Sequence, residues 1–172
     1  MSQTPNQAIK NSGVNFTPTI HRDTYPFIDP VSSKAPAIPP GSSVFITGAS
    51  KGIGRATAIS YARAGFTHIG IGARSSLSDL TAEIIAAATN AGHPAPVVHA
   101  VTLDITSRDS VSAAAASVGA AFSGKLDVLV ANAGFLEAWT RAAESDPDDW
   151  WRSYERQSLK PFCSLAASAH TP

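Results

Sequence analysis

Gly48, Gly52 and Gly54 stand in the run Thr47-Gly-Ala-Ser-Lys-Gly-Ile-Gly, and the chemistry such a run offers is the holding of an anion by bare backbone. The first glycine permits a sharp turn out of a strand. The second lets main chain approach a pyrophosphate with no Cβ in the way, and the third lets a helix pack closely. The flanks agree with this. Val44-Phe45-Ile46-Thr47 is short, apolar and β-prone, and the pattern after the glycines is helical to Ala64. Strand, glycine turn, helix is the order the motif requires. A pyrophosphate then meets the unpaired N–H groups and the positive end of the helix dipole. A kinase-type phosphate loop would close on Gly-Lys-Ser/Thr, which is absent. Dinucleotide binding is the expectation, with a purely structural turn as the alternative.

A second set of residues bears on which dinucleotide. Sites for NAD place a carboxylate near the end of the second strand, where it grips the ribose 2′-hydroxyl. Here that place reads Gly72-Ala73-Arg74. A guanidinium pairs with a phosphate through several donors, and Ser50 and Lys51 in the glycine loop can reach the same 2′-phosphate. NADP(H) is therefore expected in preference to NAD(H). The plainer alternatives are a solvated charge at Arg74 and a surface lysine at Lys51.

The elements that must position these residues follow from the apolar pattern. Strands are expected at Val44–Thr47, His68–Gly72, Val97–Leu103 and Leu126–Val130. Helices are expected from the glycine loop to Ala64, from about Leu77 to Ala91, from Ser107 to Phe122 and from near Pro147. Gly65 and Gly92 sit where helix ends want glycine, Ser107 is a good N-cap, and Pro147 suits a first turn. Regular alternation of this kind gives an α/β fold, a Rossmann-type doubly wound parallel sheet of four strands in the order 3-2-1-4 with helices on both faces. Residues 1–41, with Pro5, Pro18, Pro26, Pro30, Pro36, Pro39 and Pro40 among Ser, Thr and Asn, read as an extended leader, with Tyr25, Phe27 and Ile28 as anchors. Residues 42–172 form the nucleotide-binding domain.

Thr-Gly-x-x-x-Gly-Ile-Gly resembles the signature of short-chain dehydrogenases/reductases. Leu103-Asp104-Ile105 resembles that family's adenine-contacting Asp-Val/Ile. Ala131-Asn132-Ala133-Gly134 is similar to its Asn-Asn-Ala-Gly, with alanine for the first asparagine. These motifs fall in the family's order over about residues 43–155, and the lead-in Phe16–Pro26 resembles fungal members more loosely. The resemblance implies a cofactor site of Gly48, Ser50, Lys51, Gly52, Ile53, Gly54, Arg74, Asp104, Ile105, Asn132, Ala133 and Gly134. In it the Asp104 carboxylate takes the adenine amino group, and Asn132-Ala133-Gly134 passes under the nicotinamide ribose. A helix-start carboxylate at Asp104 and a simple turn at Asn132 are the alternatives.

The family's proton donor is a tyrosine activated by a lysine four residues later, beside a serine and an asparagine; tyrosine alone, with a pKa near 10, shuttles protons poorly at neutral pH. Four residues after Tyr25, Tyr61 and Tyr154 come Asp29, Gly65 and Ser158, so no Tyr-x-x-x-Lys exists. Trp150–Glu155 resembles the lead to the family's Val-Asn, but Arg156-Gln157 follows, which puts Gln157 at the asparagine position. No catalytic residue is assigned. The expectation is a C-terminally truncated, inactive copy of an NADP-dependent carbonyl or alcohol oxidoreductase, with a non-catalytic NADP(H)-binding protein or a nonfunctional product as alternatives. Because Arg-Gln codons read one base later can give Val-Asn, Arg156–Pro172 is expected to be an out-of-frame tail, a divergent shortened relative being the alternative. The fourth strand should then be an open apolar edge, with apolar surface exposed nearby. Phe135, Leu136 and Trp139 either line the near side of a substrate pocket or pack in the core.

Composition narrows the partners. The 172 residues are 44% hydrophobic and 15% charged with zero formal net charge. No basic patch exists for nucleic acid, and no apolar stretch reaches the ~18–20 residues that span a bilayer. Cys163 stands alone and the five histidines are scattered, so neither a disulfide nor a metal site is expected. A cytoplasmic protein acting on a small carbonyl or alcohol is the expectation. The resemblance also allows a homo-oligomer.

Overall fold

A computed structural model describes residues 25–32, 37–134, 140–141 and 143–158, the last four by backbone alone. The expectations for Phe135, Leu136 and Trp139, for the side chain of Gln157 and for most of the leader and tail lie outside the described residues.

The chain divides into two compact units, residues 1–36 and 37–172. In the first, Tyr25–Ser32 is turned rather than extended. The Tyr25 carbonyl accepts the N–H of Ile28 and Asp29, and the Asp29 carbonyl accepts that of Ser32. Pro26 sits second in the turn, where its fixed φ is already correct. Phe27 and Ile28 are exposed.

The second unit alternates strand and helix: β1 (Ser43–Thr47), α1 (Gly52–Arg63), β2 (His68–Ala73), α2 (Ser78–Asn90), β3 (Val97–Thr102), α3 (Arg108–Ala121), β4 (Val128–Val130) and α4 (Pro147–Ser158). The strands form one parallel sheet in the order β3-β2-β1-β4, which is the expected topology. Helix ends fall where the sequence places them. Gly65 and Gly92 follow α1 and α2 with positive φ, and the Ser107 hydroxyl accepts the N–H of Ser110. Asp146 Oδ1 accepts those of Asp148 and Asp149 at the start of α4.

Strand residues alternate between two cores. Val44, Ile46, Ile69 and Ile71 face α1 and α2, which contribute Ala58, Ala62, Leu80, Ile84 and Ala88. Phe45 faces the other way, toward Val111, Ala114, Val118 and Phe122 of α3 and its end. Room for Phe45 comes from β2, where a Cβ on Gly70 would lie 2.6 Å from its ring. Two glycines in a strand usually weaken it; here Gly70 makes space for the largest side chain of the sheet.

β4 is shorter than expected. Leu126 packs on the Phe45 core, and Asp127 leaves the ladder to clamp β1. Its Oδ2 accepts the Ser43 N–H at 2.8 Å and the Ser43 hydroxyl at 2.9 Å, while its own N–H donates back to Ser43 Oγ. The Ser43 hydrogen bonds, and then Lys125 at 3.2 Å, hold the Asp127 carboxyl below its ordinary pKa. A group whose pKa is depressed by folding adds stability above its unfolded value of ~3.9, and that stability is lost as pH falls through the lower folded value. Asp127→Asn should therefore lower the thermal midpoint by a constant amount from neutral pH to about pH 5, and the difference should shrink below the unfolded pKa. A difference unchanged down to pH 2 would refute this origin. Among the described residues no strand pairs with the outer edge of β4, and Trp150, Trp151 and Tyr154 of α4 are each about half exposed, with Trp150 and Tyr154 stacked at 6.1 Å.

Candidate functional site

Every strand of a parallel sheet ends on the same side, so the loops after β1, β2, β3 and β4 meet at one edge. There they enclose a cleft of about 470 Å³. Ligands of open α/β sheets bind at this edge, where the strand order reverses; here β1 lies between β2 and β4.

The floor is the glycine loop. Gly48 has φ +69°, and its N–H donates to the Gly72 carbonyl at 2.8 Å. A Cβ on Gly48 would lie 2.8 Å from Ala133 Cα, and one on Gly54 would strike the Gly48 carbonyl oxygen and come within 2.5 Å of Asn132 Nδ2. At Gly52, with φ +59°, a Cβ would meet no neighbouring atom of the described residues within 4 Å. The three glycines thus do different things: Gly48 and Gly54 let protein meet protein, and Gly52 borders open space. Lys51 stands at the N-cap of α1 in extended conformation, no side chain among the described residues caps the helix, and its first turn holds no acid. The N–H groups of that turn have no partner within the helix and no capping side chain among the described residues.

Beside β1, the strap after β4 is tied down from behind. The Asn132 amide donates to the carbonyls of Thr47 (3.0 Å) and Gly48 (3.3 Å), and the Ala133 N–H donates to the buried Thr47 hydroxyl at 2.9 Å. Asn132 therefore fixes the glycine loop as well as lining the cleft.

The charges divide by strand. Lys51 and Arg74 line the cleft from the ends of the β1 loop and β2, and neither has a carboxylate partner among the described residues. Other cations are engaged: Arg55 pairs with Glu83, Lys125 with Asp127 and Arg152 with Asp149. Arg55, although next to Gly54, is thereby turned to α2. The acid of the cleft is Asp104, after β3, whose Oδ1 accepts the N–H (2.9 Å) and hydroxyl (2.8 Å) of Thr106.

Of the residues expected from sequence, Gly48, Ser50, Lys51, Arg74, Asp104, Ile105, Asn132, Ala133 and Gly134 line this one cleft. Gly52, Ile53 and Gly54 do not line it; Gly54 is buried and Ile53 is 78% exposed. Ile105 also packs against the Phe45 core. Sequence reasoning missed Ala73, Ser75, Leu103 and Thr106 on the walls, and Thr47 behind them. Thr47 opens the quoted glycine motif and Thr106 lies two residues past Asp104, so position alone could have flagged both. Among the described residues no group of His, Cys, Asp and Glu could hold a metal, and no helix is long and apolar enough to cross a membrane.

Comparison with known proteins sharpens the picture. The sequence profile of the family described as short chain dehydrogenase matches residues 42–170. The match runs past Glu155, so it gives no support to an out-of-frame tail. The short chain dehydrogenase citE of Monascus ruber is 46% identical over 145 residues, covering 84% of this chain. The chain spans about half of that relative's length (48%). Among solved structures, a metagenomic short-chain oxidoreductase in complex with NADP superposes with a TM-score of 0.62 at 28% identity, over 74% of this chain and 54% of that one. An NADH-dependent reductase complexed with NAD gives 0.60 at 26% identity, over 75% and 50%.

Proposed function

This chain belongs to the short chain dehydrogenases, and on that premise we propose that its cleft holds NADP(H) in preference to NAD(H). The observation that carries the reading is the charge at the end of β2: Arg74 lines the cleft there, Lys51 faces it from the glycine loop, and neither is neutralised by a carboxylate among the described residues. A 2′-phosphate dianion is attracted by that pair, whereas a carboxylate in their place would repel it. The donor set fits the rest of the molecule too. Among the described residues no side chain caps the first turn of α1, open space borders Gly52, and Asp104 lines the cleft after β3 as an acceptor for the adenine amino group. Asn132-Ala133-Gly134 then runs beneath the nicotinamide ribose.

Bound there, the dinucleotide supplies or accepts a hydride, and a small carbonyl or alcohol is the substrate class of the whole protein. The chain's own residues bind and orient the cofactor. With no Tyr-x-x-x-Lys among Tyr25, Tyr61 and Tyr154 and with Gln157 at the asparagine position, these 172 residues by themselves bind without turning over. Fungal relatives of whose length this chain matches about half or less leave room for the proton-donating residues elsewhere in a full-length protein.

Fluorescence titration with NADPH and NADH under identical conditions tests the reading, followed by incubation with a panel of ketones. Tighter binding of NADPH without ketone reduction is expected. Equal affinity, or preference for NADH, would overturn the cofactor assignment, and NADPH oxidation dependent on a ketone would overturn the non-catalytic one.

A further inference from the structure

β3 is an edge strand, and the direction of its hydrogen bonds says what it offers outward. The N–H groups of Val97 and Leu103 donate to the Thr67 and Ala73 carbonyls at 2.8 and 3.0 Å, and the register from His68↔Val97 to Ala73↔Thr102 runs without a bulge. Backbone groups alternate along such a ladder. Val97, His99 and Val101 therefore direct both polar groups to β2, and Val98, Ala100 and Thr102 turn theirs to the other side. Among the described residues β3 pairs with β2 alone, and Ala100 and Thr102 are exposed.

That open stretch is bounded alike at both ends. The next outward positions are Pro96, which has no N–H, and Asp104, whose N–H donates to Ser110 Oγ at 3.0 Å. What remains, Val98, Ala100 and Thr102, is symmetric about Ala100. Natural edges are blunted with lysine, inward charge, proline or a bulge. The strand reads Val-Val-His-Ala-Val-Thr and has no such device between its ends. It carries no lysine, arginine or carboxylate, so two copies can approach without like-charge repulsion. A foreign strand would draw its specificity from pockets for alternate side chains, whereas the small Ala100 leaves the middle of this edge flat.

We propose that β3 is an interface between two copies of this chain, paired antiparallel about a two-fold axis at Ala100. A two-fold contact sets each patch against itself. Ala100 then exchanges both backbone bonds with Ala100 of the partner subunit, and Val98 does so with Thr102 of the partner subunit. The second pair brings together β-branched side chains, which suit neighbouring strands. On the other face Val97, 53% exposed, is covered by the joined edge. The two sheets become one, and the two clefts, each at the C-terminal end of its strands, face opposite ways.

Sedimentation velocity of the full chain, from low to high micromolar concentration, reads the association for the wild type, Ala100→Lys, Ala100→Glu and an equimolar mixture of the two variants. The wild type should dimerise as concentration rises. Each variant alone sets like charges face to face and should raise the dissociation constant by roughly 10-fold or more. The mixture sets opposite charges face to face and should recover the dimer. Ala100 is exposed, so the melting midpoints of the variants at low concentration should stay close to wild type. Amide hydrogen exchange on the wild type gives a reading independent of the variants: Val98, Ala100 and Thr102 should exchange slowly in the concentrated sample and fast on dilution. A wild-type chain that stays monomeric overturns the proposal, whether or not it binds a foreign strand. So does a dimer that both variants preserve, which would put the contact on another surface such as the β4 edge. Edge amides that exchange equally fast at every concentration overturn it as well. Association lost in both variants and not restored by mixing them also overturns it, because the pairing about Ala100 is then wrong.

Discussion

An alanine at Gly54 should destabilise the domain by about 1–3 kcal/mol, the usual cost of forcing atoms into a packed site. It should weaken dinucleotide binding at the same time. The added methyl has nowhere to go: it meets the Gly48 carbonyl oxygen and the Asn132 amide nitrogen at 2.5 Å. Neither can give cheaply. Gly48 is held by its bond to Gly72, and Asn132 is bound to two carbonyls of the β1 end. For a domain of this size each kcal/mol lowers the midpoint by roughly 2–4 °C. Gly52→Ala is the informative partner. Among the described residues no neighbouring atom lies near its Cβ, so its cost is the left-handed backbone, about 1–2 kcal/mol, and its larger effect should fall on the ligand. Thermal melts with NADPH titrations on both variants check this. If Gly54→Ala melted like wild type, the close approach of α1 to the β4 strap would not exist as described.

Arg74→Ala should weaken NADPH by about 10- to 150-fold, the range for losing a hydrogen bond to a charged partner worth ~1.5–3 kcal/mol. Binding of NADH should change by no more than about 2-fold. Arg74 is exposed and makes no ion pair among the described residues, so its removal should leave the melting midpoint alone. Exposure also means screening: the wild-type preference should shrink as salt rises and the Debye length falls from ~10 Å at 0.1 M to ~3 Å at 1 M. Lys51→Ala should act in the same direction, and a double-mutant cycle should show coupling if both cations hold one phosphate. Equal loss of both cofactors in Arg74→Ala would mean that Arg74 supports the loop rather than reading the 2′-position.

The sheet, its order and its helix ends were legible because each depends on short-range signals. Gly65, Gly92, Ser107 and Pro147 act within one turn of where they stand, and the apolar alternation of β1 and β2 states which side chains face which core. Strand ends were less legible, since a ladder stops where its neighbour stops. Leu103 follows the last paired residue of β3 and turns into the Phe45 core, and Asp127 is drawn out of β4 by Ser43, 84 residues away. The site shows the same division. Glycine spacing and the Arg74 position announced a phosphate-binding edge. The tie from Thr47 to Ala133 spans 86 residues, and Asn132's hold on the glycine loop is as remote, so neither could be read from local pattern. In the leader, proline content suggested extension, but Pro26 and Asp29 instead close a turn through Tyr25 and Ser32.

The most direct test of the central claim uses fragments that isolate the 2′-phosphate: calorimetric titration of the chain with 2′,5′-ADP and with 5′-AMP at low salt. The two share adenine, ribose and 5′-phosphate, so Asp104 and the α1 N-terminus see the same groups in each. Binding of 2′,5′-ADP at least ~10-fold tighter than 5′-AMP, with the difference lost in Arg74→Ala, is the expected result. Equal affinities, or an advantage that survives Arg74→Ala together with Lys51→Ala, would contradict the assignment of this cleft to NADP(H).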